Sequence, residues 1–485
     1  MSRIFTNVSS LVAQRVLGQT NQALSQSLER LSTGLAINRG KDNPAGLIAS
    51  ENLRAEKTAI SAAIANGERA DQVINIAEGG LTEIASLLND LQGLVTSTAN
   101  DAGTSLEEKQ ANQSEIDSIL ASVDRIANST NFQGTKLLNG TFDYTLTGVT
   151  STELSDTQVN AAAIPSGGTV GVTVDVIQSA QTGLAFISGA AGAGTTLDTN
   201  DTGSLTVELA GNNGAQSLSF ASGATLTSIR DGINDFKDVT GVSAALSGGI
   251  IVLNSLEFGS SQFTSVNVVD GTTGVSGGTY AANNGTATVK DLGRDATATI
   301  NGQAAQVTGL EARVASSTLD VTVSIAEAFN SDGNASSFTI SGGGATFQIS
   351  QEVGLGGQGN IGIQSVTTAN LGLAASALST LGSGGAQNVV DGNLTTAQSV
   401  VEKSISQLSS LRGRLGSFQK NTIQSMIRQL GVTLENTAAA ESQIRDTDFA
   451  SETAKLTRSQ ILSQAATNSL SLANQQPASA LALLG

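Results

Sequence analysis

Three short patterns in this chain have spacings that suit ligand chemistry. Gly354-Leu-Gly-Gly-Gln-Gly359 satisfies G-x-G-x-x-G, the turn whose backbone amides cradle a dinucleotide pyrophosphate. Asp198, Asn200, Thr202 and Gly203 imitate the opening of a calcium-binding loop. Glu107-Glu108 sets two carboxylates side by side, the residue type of general acid/base work. None is completed by its surroundings. The glycine motif runs into Asn360-Ile-Gly-Ile-Gln-Ser-Val366, an alternating strand where a helix is required, and no acid occurs before Asp391, so it reads as a turn. The calcium loop needs a bidentate Glu at its twelfth position, which is Leu209, with Glu208 one residue early; a polar turn is the simpler reading. Glu107 and Glu108 fall in a helical pattern and read as a solvated face, since a catalytic pair needs the separation of a cleft.

The residue types that are missing exclude more. The chain has no His, Cys or Trp, with two Tyr and three Pro. That removes disulfides, thiolate nucleophiles, Ser-His-Asp triads, HExxH zinc sites and histidine switches. No catalytic, cofactor-binding or metal site is expected. The net charge of -17 and pI near 4.4 repel phosphate backbones and anionic lipid, so neither nucleic acid nor membrane is an expected partner. No run approaches the ~18 apolar residues of a spanning helix, and the start MSRIFTNVSSLVAQ lacks the apolar stretch of a cleaved signal peptide. A hydrophobic fraction of 39% with 3% aromatics points to cores of Leu, Ile, Val and Ala.

Composition divides the chain into three blocks. Residues 141–390 hold 19 of the 41 acids, 5 of the 24 bases and 38 of the 54 Gly, so an acidic, Gly-rich centre lies between charge-balanced ends. The ends carry heptad rows. One is Val73, Ala77, Gly80, Ile84, Leu87, Leu91 and Leu94, flanked by Ile74, Leu81, Leu88 and Val95. Others are Leu17, Leu24, Leu28, Leu31 and Leu35; Ile116, Leu120, Val123 and Ala127; and Ile423, Ile427, Leu430 and Leu434. The last segment places Ala450, Ala454, Ile461, Ala465 and Leu472 at its seam. Asp42-Asn43-Pro44 reads as a helix start, with Asn43 capping and Pro44 at the first helical position. The centre alternates as strands, with a small ββαββ unit over 204–268 turning at Ser247-Gly248-Gly249 and further strands over 296–350. The expected fold is α+β and multidomain: the N- and C-terminal arms together form a helical coiled-coil bundle, and a mainly β insert projects from it.

The stretch Leu28-Glu-Arg-Leu-Ser-Thr-Gly-Leu-Ala-Ile-Asn-Arg-Gly-Lys-Asp-Asn-Pro-Ala-Gly-Leu47 closely resembles the N-terminal signature of bacterial flagellins. So does Ile126-Ala-Asn-Ser-Thr-Asn-Phe-Gln-Gly-Thr-Lys-Leu-Leu-Asn-Gly140, and at the other end Arg412-Gly-Arg-Leu-Gly-Ser-Phe-Gln-Lys-Asn421, Ile444-Arg-Asp-Thr-Asp-Phe-Ala-Ser-Glu452 and Asn474-Gln-Gln-Pro477. The resemblance covers about 1–145 and 365–485, and 204–268 is similar to the small insert repeats of some flagellins and filament-cap proteins.

The resemblance implies a structural subunit that polymerises into the swimming filament. It implies an inner coiled-coil domain (1–43 plus 446–485), an outer helical domain with a β-hairpin (44–165 plus 346–445) and a surface-exposed β-rich insert (166–345). Leu17, Leu24, Leu28, Leu31 and Leu35 with Ala450, Ala454, Ile461, Ala465 and Leu472 would form the interface between subunits. Val73, Ile84, Leu87, Leu91, Leu94, Ile423, Ile427, Leu430 and Leu434 would form the helical-domain seam, and Asp42, Asn43, Pro44, Ala45 and Gly46 the signature turn. The resemblance further implies export in an unfolded state, arms that order on assembly, and an extracellular location. Its partners would be other copies, hook-associated and cap proteins, an export chaperone at the C-terminal helix and O-linked glycans on 166–345; triplets such as Asn284-Gly-Thr286 read as chance. Flagellins sensed by an animal Toll-like receptor carry an Arg and a Glu beside a Leu on the helix at 84–95. The matching positions here are Asn89, Asp90, Gly93 and Leu94, with Glu115 on the next helix, which implies weakened recognition. A hook–filament junction protein and a surface adhesin built on the insert are the alternatives.

Overall fold

The computed structural model of the chain describes residues 7–100, 103–165, 168–188, 205–221, 224–270, 274–277, 289–316, 318–373 and 376–482. Eight α-helices are present among them: α1 (Val8–Thr33), α2 (Pro44–Thr98), α3 (Leu106–Ser129), α4 (Leu226–Asn234), α5 (Lys237–Thr240), α6 (Leu394–Ser417), α7 (Gln424–Arg445) and α8 (Phe449–Ala482). A π-helical turn, Phe418–Ile423, joins α6 to α7. The chain divides into two compact units. The first is 1–71, 347–357 and 419–485, and the second is 72–346 and 358–418.

The first unit is helical. In α1 the side chain of Asn7 accepts from the Ser10 amide, and Gly34 ends the helix at φ 74°, its N–H returning to Arg30 O. α1 and α8 pair antiparallel: Asn7 Nδ2 donates to Ala473 O, Ser10 Oγ meets Asn474, Ser463 Oγ meets Asn21, and Ser27 Oγ meets Glu452. α7 lies against the start of α2, where Ile60, Ala63 and Leu430 form a small core with Ile64, Met426 and Leu434. A Cβ on Gly67 would come within 2.9 Å of Ile427, so glycine there lets the two helices approach. Ion pairs Lys57–Glu441 (2.9 Å) and Arg445–Glu51 (2.7 Å) flank this contact.

The second unit combines helices and sheets. α2 buries Ala70 before the unit begins and continues with Ile74, Ala77, Leu81, Ile84, Leu88, Leu91, Val95 and Thr98, in unbroken steps of four and three. Of the expected row, Val73, Ala77, Ile84 and Leu91 are buried, while Leu87 and Leu94 are half-buried at its edge; the seam alternates between this row and the flanking row of Ile74, Leu81, Leu88 and Val95. α3 opens with a reciprocal cap. Ser105 Oγ accepts from the Glu108 amide and Glu108 returns to the Ser105 amide at 2.8 Å, so Glu108 is committed to the helix start. α6 buries Ala397, Val401, Ser404, Leu408, Leu411 and Leu415, and Arg412 pairs with Glu78 of α2 at 2.7 Å.

The strands are antiparallel. One sheet runs in the order Gln303–Ala304, Thr297–Ile300, Val170–Gln178, Ala335–Gly343, Tyr144–Thr147. A second runs Gln306–Thr308, Glu311–Ala315, Leu319–Ile325, Leu154–Ala162, and the two share a core around Val172, Val174, Val321 and Val323. Two strands assigned from the sequence to 44–165 thus pair with strands of 166–345. The ββαββ unit is present as Leu205–Ala210, Ala215–Phe220, α4, Val242–Ser247 and Ile250–Ser255. Gly248 and Gly249 sit at φ 59° and 81°, the two positive values that a tight hairpin turn requires. Its hairpins belong to different sheets, packed over Leu226, Ile229 and Ile233 of α4.

Leu88→Ala removes a wholly buried side chain and is expected to cost about 2–5 kcal/mol. Leu94→Ala, at the half-buried edge, is expected to cost less than half as much. Chemical denaturation of both variants measures the difference; an equal or larger loss at Leu94 would refute its place at the edge of the seam.

Candidate functional site

The signature turn is built from the side chains of three residues and the absence of one. Asp42 Oδ2 accepts from the Arg39 amide at 2.9 Å and the Asn38 amide at 3.3 Å, closing the loop before α2. Asn43 Oδ1 accepts from the Gly46 amide at 3.0 Å, and Pro44 takes the first helical position, where no N–H is needed. A Cβ on Gly46 would meet Asn43 and Ile37, each at 2.7 Å, so the close approach requires glycine. Ala45 is exposed. Ala36 N donates to Arg445 O and Thr447 N to Gly34 O, which ties this connector to the one between α7 and α8.

On α1 the row facing α8 is Ser10, Leu17, Thr20, Leu24, Ser27 and Leu31, with Leu35 half-buried just beyond. Leu28 points away, half exposed. On α8 the row facing α1 is Glu452, Ser459, Ala466 and Ala473, spaced by seven. The residues expected at the subunit interface, Ala450, Ala454, Ile461, Ala465 and Leu472, are all exposed on the other faces, Ile461 at 65% and Leu472 at 64%. Val8, Leu11, Val12 and Val16 of α1 and Leu462 of α8 are exposed as well. Ile423, the last residue of the π-helical turn, and Leu430 of α7 are buried, while Ile427 and Leu434 of α7 are half-buried.

Sequence reasoning missed Glu452. Only 3% exposed, it accepts from Ser27 Oγ at 2.7 Å and from Lys455 Nζ at 3.1 Å, with Arg30 at 3.8 Å. Burial pushes its carboxyl up, but the Ser27 and Lys455 hydrogen bonds and the charges of Lys455 and Arg30 outweigh that and hold it below the ordinary range. The available signal was an acid on the heptad of Ser459, Ala466 and Ala473.

The five positions that the resemblance matches to receptor-contact positions converge. Asn89, Asp90, Gly93 and Leu94 on α2 and Glu115 on α3 line one open groove of about 610 Å³, together with Leu87. A polar cavity of about 300 Å³ elsewhere in the second unit is lined by Asp143, Asp156, Glu311, Lys403 and Gln407. Burial raises the Asp143 carboxyl and pulls Arg414 down to about 10 against the opposing charges of Asp320 and Asp143. Among the described residues no cluster of three or more carboxylates is placed to hold a metal ion, and no helix is long and apolar enough to cross a membrane. The G-x-G-x-x-G stretch forms a short 3₁₀ turn, Leu355–Gly357, leading into strand Gln358–Ile361. Residues 198–203 and 284–286 lie outside the described residues.

Long helices at both ends of the chain, α1 paired with α8, with a β-rich segment between them in the sequence, are the architecture of a subunit whose termini close on each other. The bacterial flagellin N-terminal helical region matches residues 4–143, the flagellin C-terminal helical region 398–484 and the flagellin hook IN motif 206–266, together more than half of the chain. The chain belongs to the bacterial flagellin family. It is 29% identical to polar flagellin B/D of Vibrio parahaemolyticus over 99% of this chain and 98% of that protein. It is 28% identical to flagellin A of Helicobacter pylori over 99% of each. A solved structure, hook-associated protein 3 of Legionella pneumophila, aligns over 81% of this chain and 98% of that one at 12% identity and a TM-score of 0.30.

Because the folded pKa of Glu452 is depressed, its contribution is present above the ordinary Glu range and is lost as pH falls through the folded value. Glu452→Gln is therefore expected to weaken the protein at pH 7 and to flatten the acid limb of its stability curve. Thermal unfolding followed by circular dichroism between pH 7 and pH 2 measures this; parallel acid limbs would refute it.

Proposed function

We propose that this chain is the structural subunit of a flagellar filament, an extracellular appendage, and that it polymerises through its terminal helices. One observation carries the reading: α1 and α8 fully bury only small and polar residues and Glu452 between them, half-bury Leu17, Leu24 and Leu31, and leave Val8, Leu11, Val12, Val16, Ile461, Leu462 and Leu472 uncovered. Burying apolar surface is worth about 25 cal/mol per Å², so a row of such side chains on each of two long helices favours association with further copies. In this reading the inner domain is 1–43 plus 446–485, the outer domain 44–165 plus 346–445 and the surface insert 166–345. Hook-associated and cap proteins meet the filament ends. An export chaperone engages α8 before secretion through the flagellar export apparatus, and glycans attach to hydroxyls of the insert. The junction-protein and adhesin alternatives leave the uncovered rows on both helices without a partner of the same kind.

The groove carrying Asn89, Asp90, Gly93, Leu94 and Glu115 presents carboxylates and no base among these five. An acidic receptor face would meet repulsion from Asp90 and no donor fork, so innate recognition is weak. Normal activation of a Toll-like receptor reporter by the purified chain would overturn this.

Electron microscopy of the chain mixed with short sheared filament seeds tests polymerisation. Filaments should extend from seed ends and be lost when 1–40 or 450–485 is removed. Leu11→Asp and Ile461→Asp, at uncovered positions, should reduce elongation at least tenfold while helical content is retained. Monomers that persist beside seeds under all conditions would move the assignment to a junction component.

A further inference from the structure

The buried positions of the seam between α1 and α8 hold small side chains, with Leu17, Leu24 and Leu31 of α1 and Leu456 and Leu470 of α8 half-buried beside them. Ser10, Thr20 and Ser27 face Ser459, Ala466 and Ala473, all small and all less than a tenth exposed. The buried α8 members recur every seven residues, as do Leu17, Leu24 and Leu31 on α1, so sliding one helix along the other by a heptad returns a small side chain to each buried position and changes size only at the half-buried Leu456, Ser463 and Leu470. Packing alone therefore discriminates weakly between alignments. Three neutral hydrogen bonds, Asn7–Ala473, Ser10–Asn474 and Asn21–Ser463, mark the observed one, but they are part-buried or exposed and exchange with water at little cost.

Glu452 breaks the repeat. It is the one charged side chain buried in this seam, and its carboxylate finds Ser27 Oγ and the Arg30 guanidinium on the opposite helix. A slip of seven residues moves it about 10 Å along the axis. In one direction it comes opposite Thr20, whose hydroxyl already donates to Val16 O, and far from Arg30. In the other it comes opposite Gly34, beyond the end of α1. Lys455 travels on the same helix and stays with it in every alignment, so only the α1 partners distinguish them. A buried carboxylate that loses its cross-helix partners carries an uncompensated desolvation cost.

We propose that Glu452 is the register-setting residue of the terminal helix pair, admitting one alignment of α8 on α1 and rejecting those displaced by one heptad. The alignment decides which uncovered side chains of the two helices stand beside one another: Leu11 comes level with Leu472, because Ser10 meets Asn474. The consequence for filament growth rests on the filament reading, but the alignment itself does not.

The absence of cysteine makes the alignment directly readable. Asn21→Cys with Ser463→Cys reports the observed alignment; Asn21→Cys with Leu456→Cys or Leu470→Cys reports the two displaced ones. Each pair is oxidised in the full-length chain, before seeds are added and again in pelleted filaments. With Glu452 in place, only the first pair should close. With Glu452→Leu, the displaced pairs should reach at least one-tenth of the yield of the first; with Glu452→Gln, which keeps the Ser27 hydrogen bond, the yield should be smaller but above background. Closure of the first pair alone in both variants would overturn the proposal. Closure of no pair in either would also overturn it, by showing Glu452 to be needed for pairing itself. A chain that holds one alignment yet never extends seeds would sink the filament reading and leave this one standing.

Discussion

The antiparallel meeting of the two chain ends is the constraint on which everything else depends. Asn7 and Ala473 touch although 466 residues separate them in sequence. Contacts of increasing span are nested inside that closure: Glu78 with Arg412, Lys57 with Glu441, Ser27 with Glu452. Their separations run from 334 through 384 and 425 to 466 residues. Loop-closure entropy grows only by roughly 0.6 kcal/mol per doubling of length, so once the innermost contact forms the remaining ones add little entropic cost. The arms can zip outward toward the termini. The same nesting explains why a large β insert is tolerated, since lengthening the innermost loop changes its closure cost only logarithmically.

Much of this was legible in residue spacing, and the failures have a common cause. The heptads of α2 and α7 were visible because Leu and Ile mark both rows, and Asp42, Asn43 and Pro44 announced the start of α2 by their backbone preferences. On α2 the sequence could not say which of two adjacent rows is central, since Leu87 and Leu88 are equally apolar and only neighbours decide. On α8 the apolar residues traced the uncovered faces, whereas the inward row is Glu452, Ser459, Ala466 and Ala473. Periodicity in apolar residues reports a face that will be covered, without saying by what. In a helix whose larger side chains are free for another copy, the row that closes the chain on itself can be the quieter one.

The insert shows the complementary limit. Alternation marked strands such as Leu205–Ala210 and Leu319–Ile325, and two glycines marked a tight hairpin. Pairing between strands distant in sequence, such as Leu154–Ala162 with Leu319–Ile325, left no local trace. The domain boundary at 165 that the resemblance implies therefore falls within sheets whose strands come from both sides of it.

The small side chains between α1 and α8 have a thermodynamic consequence. The fully buried positions there are Ser, Thr, Ala and Glu452, and Leu17, Leu24 and Leu31 are only half-buried, so the pair alone removes limited apolar area from water. Its larger apolar side chains, among them Val8, Leu11, Ile461 and Leu472, are exposed in the single chain, and the proposed filament would bury them only when another copy arrives. The melting temperature of this region is then set by protein concentration rather than by sequence alone, as for any fold completed by association. Because apolar burial weakens on cooling, polymers joined through these rows would loosen in the cold as well as in heat.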